Sequence, residues 1–410
     1  MQIKIKDISH TFSPKTPWEF TALRNVSCEI NDGEYIGIIG STGSGKTTFI
    51  EHLNQLLNPS TGEIVWDFYD DVKITKKYLL SKLQNDLQQQ GLELNSKEYK
   101  KQYKIGKKQI TATIKSSNKR IKLLNKSLKK KVSDAVEQFK KDFTKSRKNA
   151  YENQIQFKHA LITETNLFKL NFIQQSEEGK EIHRLKYIQD NIIFTKKGKG
   201  KVFNKDPKQL RKHVGIVFQF AEYQLFKATI QEDIAFGPMA FGVAKETAYQ
   251  LAQESLTLVG LGPEYLDRSP FELSGGQKRR VAIAGILAMQ PDFLVVDEPT
   301  AGLDPVGVNE ILEILNNLNK QGKTIINVTH DLDNILKYAK RIILFKKGKI
   351  VRDDEPYDVL NDVEFLKENN LQPPHLLAFA NKLRAKGIPV PKILSEDDLV
   401  NFLNSYKGGN

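Results

Sequence analysis

The feature that most constrains this chain is a short apolar segment followed by a glycine-rich loop and a helical pattern. Residues 35–39 are an apolar run that predicts a buried strand, and residues 49–54 begin a helix. The segment between them consists of Gly40, Ser41, Thr42, Gly43, Ser44, Gly45, Lys46, Thr47 and Thr48. A glycine-rich turn alone can be purely structural. In this order, however, the glycines bring backbone N–H groups against phosphate oxygens, and the helix adds the positive end of its dipole. The segment therefore predicts a site for the phosphates of a nucleotide.

Side chains of this loop and of a later segment predict catalysis. We expect Lys46 to reach the β- and γ-phosphates and the Thr47 hydroxyl to bind Mg2+. Asp297 and Glu298 end the apolar run 293–297, which places both at the carboxyl edge of a parallel sheet. We expect Asp297 to hold Mg2+ through water and Glu298 to polarise the attacking water as general base. The predicted cofactors are ATP and Mg2+.

Two more polar residues follow predicted strands. Gln219 ends a strand predicted over residues 211–218, and its amide oxygen is a candidate ligand for Mg2+. His330 follows the apolar run 324–328, and we expect it to contact the γ-phosphate and the water, although a lone histidine is more often structural. The catalytic candidates are therefore Lys46, Glu298 and His330, and the metal-ligand candidates are Thr47, Gln219 and Asp297.

A second serine–glycine turn precedes a helix at Ser274, Gly275, Gly276 and Gln277. This geometry also suits an anion. It cannot take the same phosphates as the first loop if those are already bound there. We therefore predict that it contacts the γ-phosphate of a nucleotide held by another subunit, in a dimer with ATP between the protomers.

The positive charge of the chain is concentrated in one segment. The whole chain has 62 basic and 49 acidic residues, but residues 71–210 hold 34 of the former and 14 of the latter. Outside that segment acidic residues predominate, so a generally nucleic-acid-coating protein is not implied. The single cysteine, Cys28, excludes an internal disulfide, and the longest apolar stretch is about half a membrane span. We expect a protein on the cytoplasmic face of the membrane, held there by partners.

The pattern of elements predicts an α/β fold divided into four parts. Residues 1–71 contain short antiparallel strands and the phosphate loop, and residues 205–350 contain helices and buried parallel strands. Between them, residues 72–204 predict a lysine-rich helical insertion, a hairpin or small bundle with a return linker at 198–201. Residues 351–410 predict a small C-terminal α subdomain.

Taken together, these motifs resemble the nucleotide-binding subunit of an ABC transporter, a P-loop NTPase with an antiparallel β subdomain and a helical signature subdomain. The Walker A, Q-loop, signature, Walker B, D-loop and H-loop patterns all appear in family order. The sequence of residues 218–226, 233–238 and 271–285 is similar to that of the energy-coupling factor transporter ATPases. The Arg279-Arg280 pair resembles the second type of these ATPases. Ala221 departs from the proline that the family usually has.

The resemblance implies further roles. Phe12 matches the aromatic residue that stacks on adenine, although an exposed strand aromatic or a core residue is the alternative. Asp304 matches the D-loop and would act in trans with the signature residues. The family works as a pair of related ATPases beneath a transmembrane coupling protein, with a separate substrate-capture membrane protein. The resemblance favours a heterodimer for this chain, and a homodimer stays the open alternative. The segment of Glu222, Tyr223 and Phe226 would contact the coupling protein, and the transported compound would be a vitamin or metal ion.

Two other functions remain open at this stage. An ATPase serving an exporter would share the same hydrolytic residues. The basic insertion favours a second possibility, an ABC ATPase that acts on nucleic acid. Coiled-coil repair proteins of that class, however, carry their insertion after the Q-loop, whereas this one precedes Gln219. Translation factors of that class carry two cassettes, and this chain has one.

The insertion has two interpretations. Its lysines can simply cover the solvated faces of amphipathic helices. Alternatively, they contact anionic lipid headgroups, which attract each nearby basic residue by about 1 kcal/mol.

Overall fold

The computed structural model describes residues 1–94, 96–147, 161–162, 165, 168–169, 172–173, 175–197 and 207–406. The chain forms two compact units, one made of Met1–Phe68 with Ile193–Asn410 and the other of Tyr69–Ile192. The four-part division at 71, 204 and 350 stays a prediction, and the linker at 198–201 lies outside the described residues.

The strands of the chain are β1 (Gln2–Phe12), β2 (Phe20–Asn31), β3 (Tyr35–Ile39), β4 (Thr61–Lys73), β5 (Tyr187–Lys197), β6 (Val214–Val217), β7 (Phe293–Asp297), β8 (Thr324–Val328), β9 (Arg341–Lys346) and β10 (Lys349–Asp354). The helices are α1 (Lys46–Leu53), α2 (Lys76–Gln89), α3 (Lys97–Arg147), α4 (Glu177–Lys186), α5 (Pro207–His213), α6 (Ile230–Ala240), α7 (Lys245–Leu258), α8 (Gly275–Leu287), α9 (Pro305–Lys320), α10 (Leu332–Tyr338), α11 (Pro356–Leu360), α12 (Val363–Glu368), α13 (His375–Ala385) and α14 (Glu396–Ser405).

A six-stranded sheet forms the centre of the first unit. Its order is β10-β9-β3-β8-β7-β6, and all neighbours except the β9–β10 hairpin are parallel. Every residue of β3, β7 and β8 is buried, because these apolar runs are covered on both faces of the sheet. Their carboxyl ends meet at one edge. The phosphate loop follows β3 there, Glu298 follows β7, and His330 follows β8 shortly after its end.

An antiparallel sheet accompanies it, with the order β2-β1-β4-β5. The pairing of β1 with β2 confirms the antiparallel strands predicted for residues 1–35. On β4, the fully buried Trp66 donates a hydrogen bond of 2.7 Å from Nε1 to the carbonyl of Leu53, the last residue of α1. This bond ties the antiparallel sheet to the helix that follows the phosphate loop.

Helices complete the first unit. In α6, α7 and α8, buried residues such as Ile234, Ala252 and Val281 share one apolar core with β7 and α9. The C-terminal helices α11–α14 pack on a second core, in which Val359 and Leu377 join Ile39 and Leu344 of the central sheet. The C-terminal helices therefore pack against the central sheet and belong to the same compact unit.

The second unit is mainly helical. Its longest element, α3, has 51 residues and extends about 77 Å at the usual rise per residue. Leu124, Leu128 and Val132 line one face of α3 and pack with Ile182 of α4. The long amphipathic helix predicted from residues 121–143 is confirmed.

Two predicted elements were wrong. Residues 211–213 lie in α5 rather than in the strand, which begins only at Val214. Pro207 opens that helix and basic residues fill its last turn, an arrangement favoured by the helix dipole. Within 72–204, where only helices were expected, β4 continues to Lys73 and β5 forms another strand. The β-branched and aromatic run Ile192-Ile193-Phe194 favours that conformation.

Candidate nucleotide-binding site

The phosphate loop depends on glycines at defined positions. Gly40, Gly43 and Gly45 have φ values of +147°, +75° and +105°, which side chains rarely adopt. A Cβ on Gly40 would lie 2.3 Å from the carbonyl oxygen of Phe345, so that position is also sterically closed. Gly45 precedes α1 and has no side chain to cap its N–H groups. The Ser44 hydroxyl is buried without a hydrogen-bond partner among the described residues.

The residues predicted from separate motifs surround one cavity of about 400 Å³. Its lining contains Phe20, Ala22, Thr42, Gly43, Ser44, Gly45, Lys46, Thr47, Thr48, Gln219, Asp297, Glu298 and His330. A larger cavity of about 1100 Å³ adjoins it, with Gly40, Ser41, Lys46, Glu298 and His330 on one side and C-terminal residues such as Lys367 on the other. The fold therefore brings together the catalytic and metal-ligand candidates of one chain.

Lys46 is held by the loop itself. Its ammonium donates to the carbonyl oxygens of Gly40 at 2.7 Å and Ser41 at 3.2 Å. Burial lowers the pKa of Lys46, while the charges of Glu298 and Asp297 act in the opposite direction. The side chain is thus a partly desolvated cation between loop carbonyls and two carboxylates, and a phosphate would meet it at close range.

The metal-ligand candidates have the chemistry that Mg2+ prefers. The Thr47 hydroxyl donates 3.0 Å to Oδ2 of the buried Asp297. Burial, and then the neighbouring Glu298, raise the pKa of Asp297, while Thr47 and Lys46 lower it. With the amide of Gln219 in the same cavity, the donor set is hydroxyl, carboxylate and amide oxygen, which fits Mg2+.

Glu298 lines the cavity and has a strained backbone conformation. Its φ is +47°, in the left-handed region, and its N–H donates to the carbonyl of Val328. Oε1 lies 2.9 Å from Nδ1 of His330, and Oε2 accepts from the Thr329 hydroxyl at 3.3 Å. His330 therefore lies close to the predicted general base, as its position after β8 suggested.

The predicted adenine platform lies beside this cavity. Phe12 is 38% exposed and packs edge-on against His10, with ring centroids 4.5 Å apart. Phe20, directly opposite it across the β1–β2 pair, lines the cavity instead. Sequence reasoning missed Phe20. The antiparallel register of the hairpin could have identified it, since opposite residues share a face.

A buried pair of histidines, also missed from the sequence, lies behind Phe12. Nδ1 of His52 is 2.6 Å from the carbonyl oxygen of Thr48, and Nε2 is 3.2 Å from Nδ1 of His10. Burial lowers the pKa of His52 to about 4, which keeps the ring neutral. The pair connects the strand of Phe12 to the first helix after the phosphate loop.

The residues predicted to act in trans do not reach this cavity. Ser274 and Gln277 form a reciprocal capping box at the start of α8, with bonds of 3.3 and 3.0 Å. Gly275 and Gly276 lie in its first turn, and Asp304 caps α9 by accepting from the Gly307 N–H at 2.9 Å. Within the part of the chain that the structure describes, the lining of the 400 Å³ cavity includes none of them.

The segment after Gln219 divides into an outer and an inner part. Tyr223 and Phe226 are exposed, by 82% and 57%. Glu222, which the sequence grouped with them as an outward contact, instead faces inward and forms an ion pair with the buried Arg279 of α8. That part of the prediction is corrected, because a desolvated arginine requires a carboxylate partner.

The fold and this site define an ATPase of the ATP-binding cassette class. The family model described as ABC transporter matches residues 23–166 and 179–301. The energy-coupling factor transporter ATP-binding protein EcfA2 of Mycoplasmopsis synoviae is 45% identical over 99% of this chain and 96% of its own length. Its namesake from Enterococcus faecalis is 34% identical over 98% of this chain and 96% of its own.

A solved structure supports the same fold. It is that of cbiO1 from Clostridium perfringens, described as part of the ABC transporter complex cbiONQ. It matches with a TM-score of 0.50 and 23% identity, covering 92% of this chain and 98% of that one. The chain therefore belongs to the ABC transporter family, and within it to the energy-coupling factor transporter ATP-binding proteins. Its activity is that of an ATP-hydrolysing transporter subunit. Among the described residues, no helix has the length and apolar character to cross a membrane.

Proposed function

We propose that this chain powers uptake of a vitamin or metal ion through an energy-coupling factor transporter, at the cytoplasmic face of the membrane. Its partners would be a related ATPase, a transmembrane coupling protein and a substrate-capture membrane protein. The observation that carries the proposal is the cavity shared by Lys46, Gln219, Asp297 and Glu298, in a chain related over nearly its full length to proteins of that name. An exporter ATPase is the alternative, because it would use the same residues.

In the proposed mechanism, each residue acts at a stated atom. Nζ of Lys46 and the loop N–H groups bind and orient the phosphates. The oxygens of Thr47, Gln219 and Asp297 would hold Mg2+, which neutralises phosphate charge when bound. A carboxylate oxygen of Glu298 accepts the proton of the attacking water as the new oxygen–phosphorus bond forms and ADP leaves with the electrons of the broken bond. His330 keeps that carboxylate in place.

The site is completed by a second ATPase. The Ser274–Gln277 turn and Asp304 would contact the nucleotide held by the partner, since they lie away from the cavity of their own chain. The exposure of Ser274 and Gly275 supports this, and a Cβ on Gly275 would meet nothing within 4 Å. ATP binding would then close the pair and hydrolysis would open it. The exposed Tyr223 and Phe226 would contact the coupling protein.

Purification of the complex through a tag on this chain tests the proposal. We expect a related ATPase and a polytopic membrane protein to copurify in detergent. An exporter would instead be indicated by a single membrane protein without a second, related ATPase. Ribosomes or nucleic acid in place of membrane proteins would contradict the proposal.

We also propose that α3 contacts anionic lipid. All of its lysines are exposed. Among the described residues, ion pairs join Lys131 to Glu178, Lys141 to Glu137 and Arg120 to Glu181. Nucleic acid would need exposed aromatic side chains for base stacking, but on α3 Tyr99 and Phe143 are buried and Tyr103 and Phe139 are half-buried. Diffuse lysine charge on a helix whose described residues include no exposed aromatic ring suits headgroups better than bases.

Flotation of the full chain with vesicles tests the lipid contact. We expect binding to phosphatidylglycerol vesicles, no binding to neutral ones, and loss in a variant with Lys119, Lys122 and Lys126 changed to glutamine. The matched control changes the exposed Lys320, Lys382 and Lys386 to glutamine. Equal binding by both variants, or salt-sensitive RNA binding in place of lipid binding, would overturn this proposal.

A further inference from the structure

Every guanidinium nitrogen of Arg279 donates a hydrogen bond within the first unit. Its side chain is 3% exposed. Nε and Nη2 donate to the two carboxylate oxygens of Glu222, at 3.0 and 2.6 Å. Nη1 donates to the carbonyl oxygens of Pro299 and Ala301, at 3.0 and 2.6 Å. One side chain of α8 is therefore fixed from two directions.

The two sets of acceptors belong to different parts of the catalytic machinery. Glu222 comes three residues after Gln219 and directly before the exposed Tyr223. Pro299 directly follows Glu298, and the N–H of Ala301 donates to the carbonyl of Glu298 at 3.2 Å. Arg279 thus links the segment that follows a metal-ligand candidate to the turn that contains the general base.

The linkage has a geometric reason to matter. Glu298 has a positive φ, so its carboxylate stays in place only while the surrounding turn is held. The N–H of Glu298 is held by Val328 on one side, and Arg279 holds the carbonyls of the turn on the other. A planar guanidinium can make all four bonds at once, whereas a lysine ammonium cannot reproduce the fork.

We propose that Arg279 is a positioning residue that sets the place of the Glu298 turn according to the place of Glu222. Movement of the segment that carries the exposed Tyr223 and Phe226 then reaches the general base through one buried ion pair. This inference rests on the proposed function only for what moves that segment. Neither Arg279 nor Glu222 lines the cavity around the phosphate loop.

The test uses the complex purified through a tag on this chain, carrying Arg279→Lys, Glu222→Gln or both. The measurements are kcat for ATP, the Kd for ATP without turnover, and the melting temperature. We expect either single change to lower kcat about tenfold or more and to leave the Kd within twofold. The double variant should be no slower than Arg279→Lys alone, because both changes break the same linkage.

Arg341→Lys is the matched control. Arg341 also makes a two-pronged bond to a carboxylate, Asp353, and donates to a backbone carbonyl, that of Glu29, but it lies outside the cavity lining. Its kcat per folded molecule should stay that of the wild type. The inference is overturned if Arg279→Lys and Glu222→Gln leave kcat unchanged, if kcat falls only with the folded fraction, or if their effects multiply in the double variant. A wild-type complex that binds ATP without hydrolysing it would contradict the proposed function instead.

Discussion

The Thr47 hydroxyl donates a 3.0 Å hydrogen bond to Oδ2 of Asp297, a residue 250 positions away in the chain. Parallel strands β3 and β7 both neighbour β8, and their carboxyl ends bring the two side chains to one edge of the sheet. The bond joins the phosphate loop to the carboxylate segment, and both oxygens suit Mg2+.

Removal of the Thr47 hydroxyl should therefore weaken the binding of Mg2+ without weakening the binding of ATP. In Thr47→Val, which keeps the shape of the side chain, we expect the Mg2+ concentration for half-maximal ATP turnover to rise about tenfold or more. ATP binding in EDTA should stay unchanged, because the loop N–H groups and Lys46 are intact. Thr257→Val, at an exposed position of α7, is the control. An unchanged Mg2+ titration would remove Thr47 from the metal site.

Phe12 and Phe20 are the two candidates for the ring that stacks on adenine, and binding of ATP and of tripolyphosphate distinguishes them. Base stacking on a ring is worth about 1–3 kcal/mol, so we expect Phe12→Ala to weaken ATP binding about fivefold or more. Its affinity for tripolyphosphate should not change. Trp18→Ala, in the same hairpin and 83% exposed, is the control. If Phe12→Ala binds ATP normally while Phe20→Ala does not, the platform is Phe20.

The buried His52 predicts a pH dependence of stability. Its pKa falls from 6.5 to about 4 on burial, so between these values the unfolded chain binds a proton that the folded chain does not. The free energy of unfolding therefore has its full value above pH 6.5. It decreases by about 3 kcal/mol as the pH falls from 6.5 through 4, because protonation then favours the unfolded chain.

Chemical denaturation at pH 6.5 and pH 4 measures this loss. The fall in unfolding free energy should be smaller by that amount in His52→Gln than in the wild type. Thr257→Val, which removes no titratable group from an exposed position, should behave like the wild type. If the wild type and His52→Gln had parallel pH profiles, His52 would take up its proton at the same pH in the folded and in the unfolded chain, and the account would be wrong.

Local patterns predicted much of the fold because each depends on a few neighbouring residues. The buried runs of β3, β7 and β8 and the capping serine of α8 are of this kind, and so is the placement of Glu298 and His330 after strands. Residues 211–213 were misassigned because α5 ends at His213 and β6 begins at Val214, with no glycine or proline to mark the boundary. The ion pair of Glu222 with Arg279 spans 57 positions and depends on tertiary packing, which no local pattern records.

The most direct test of the central account is ATP turnover by the tagged complex carrying Glu298→Gln, with bound nucleotide measured on the same sample. We predict that ATP stays bound while turnover falls about 10²- to 10⁴-fold, because the general base is lost. Glu364→Gln, an exposed residue of α12, should hydrolyse ATP like the wild type. Normal hydrolysis by the Glu298→Gln complex would contradict the account.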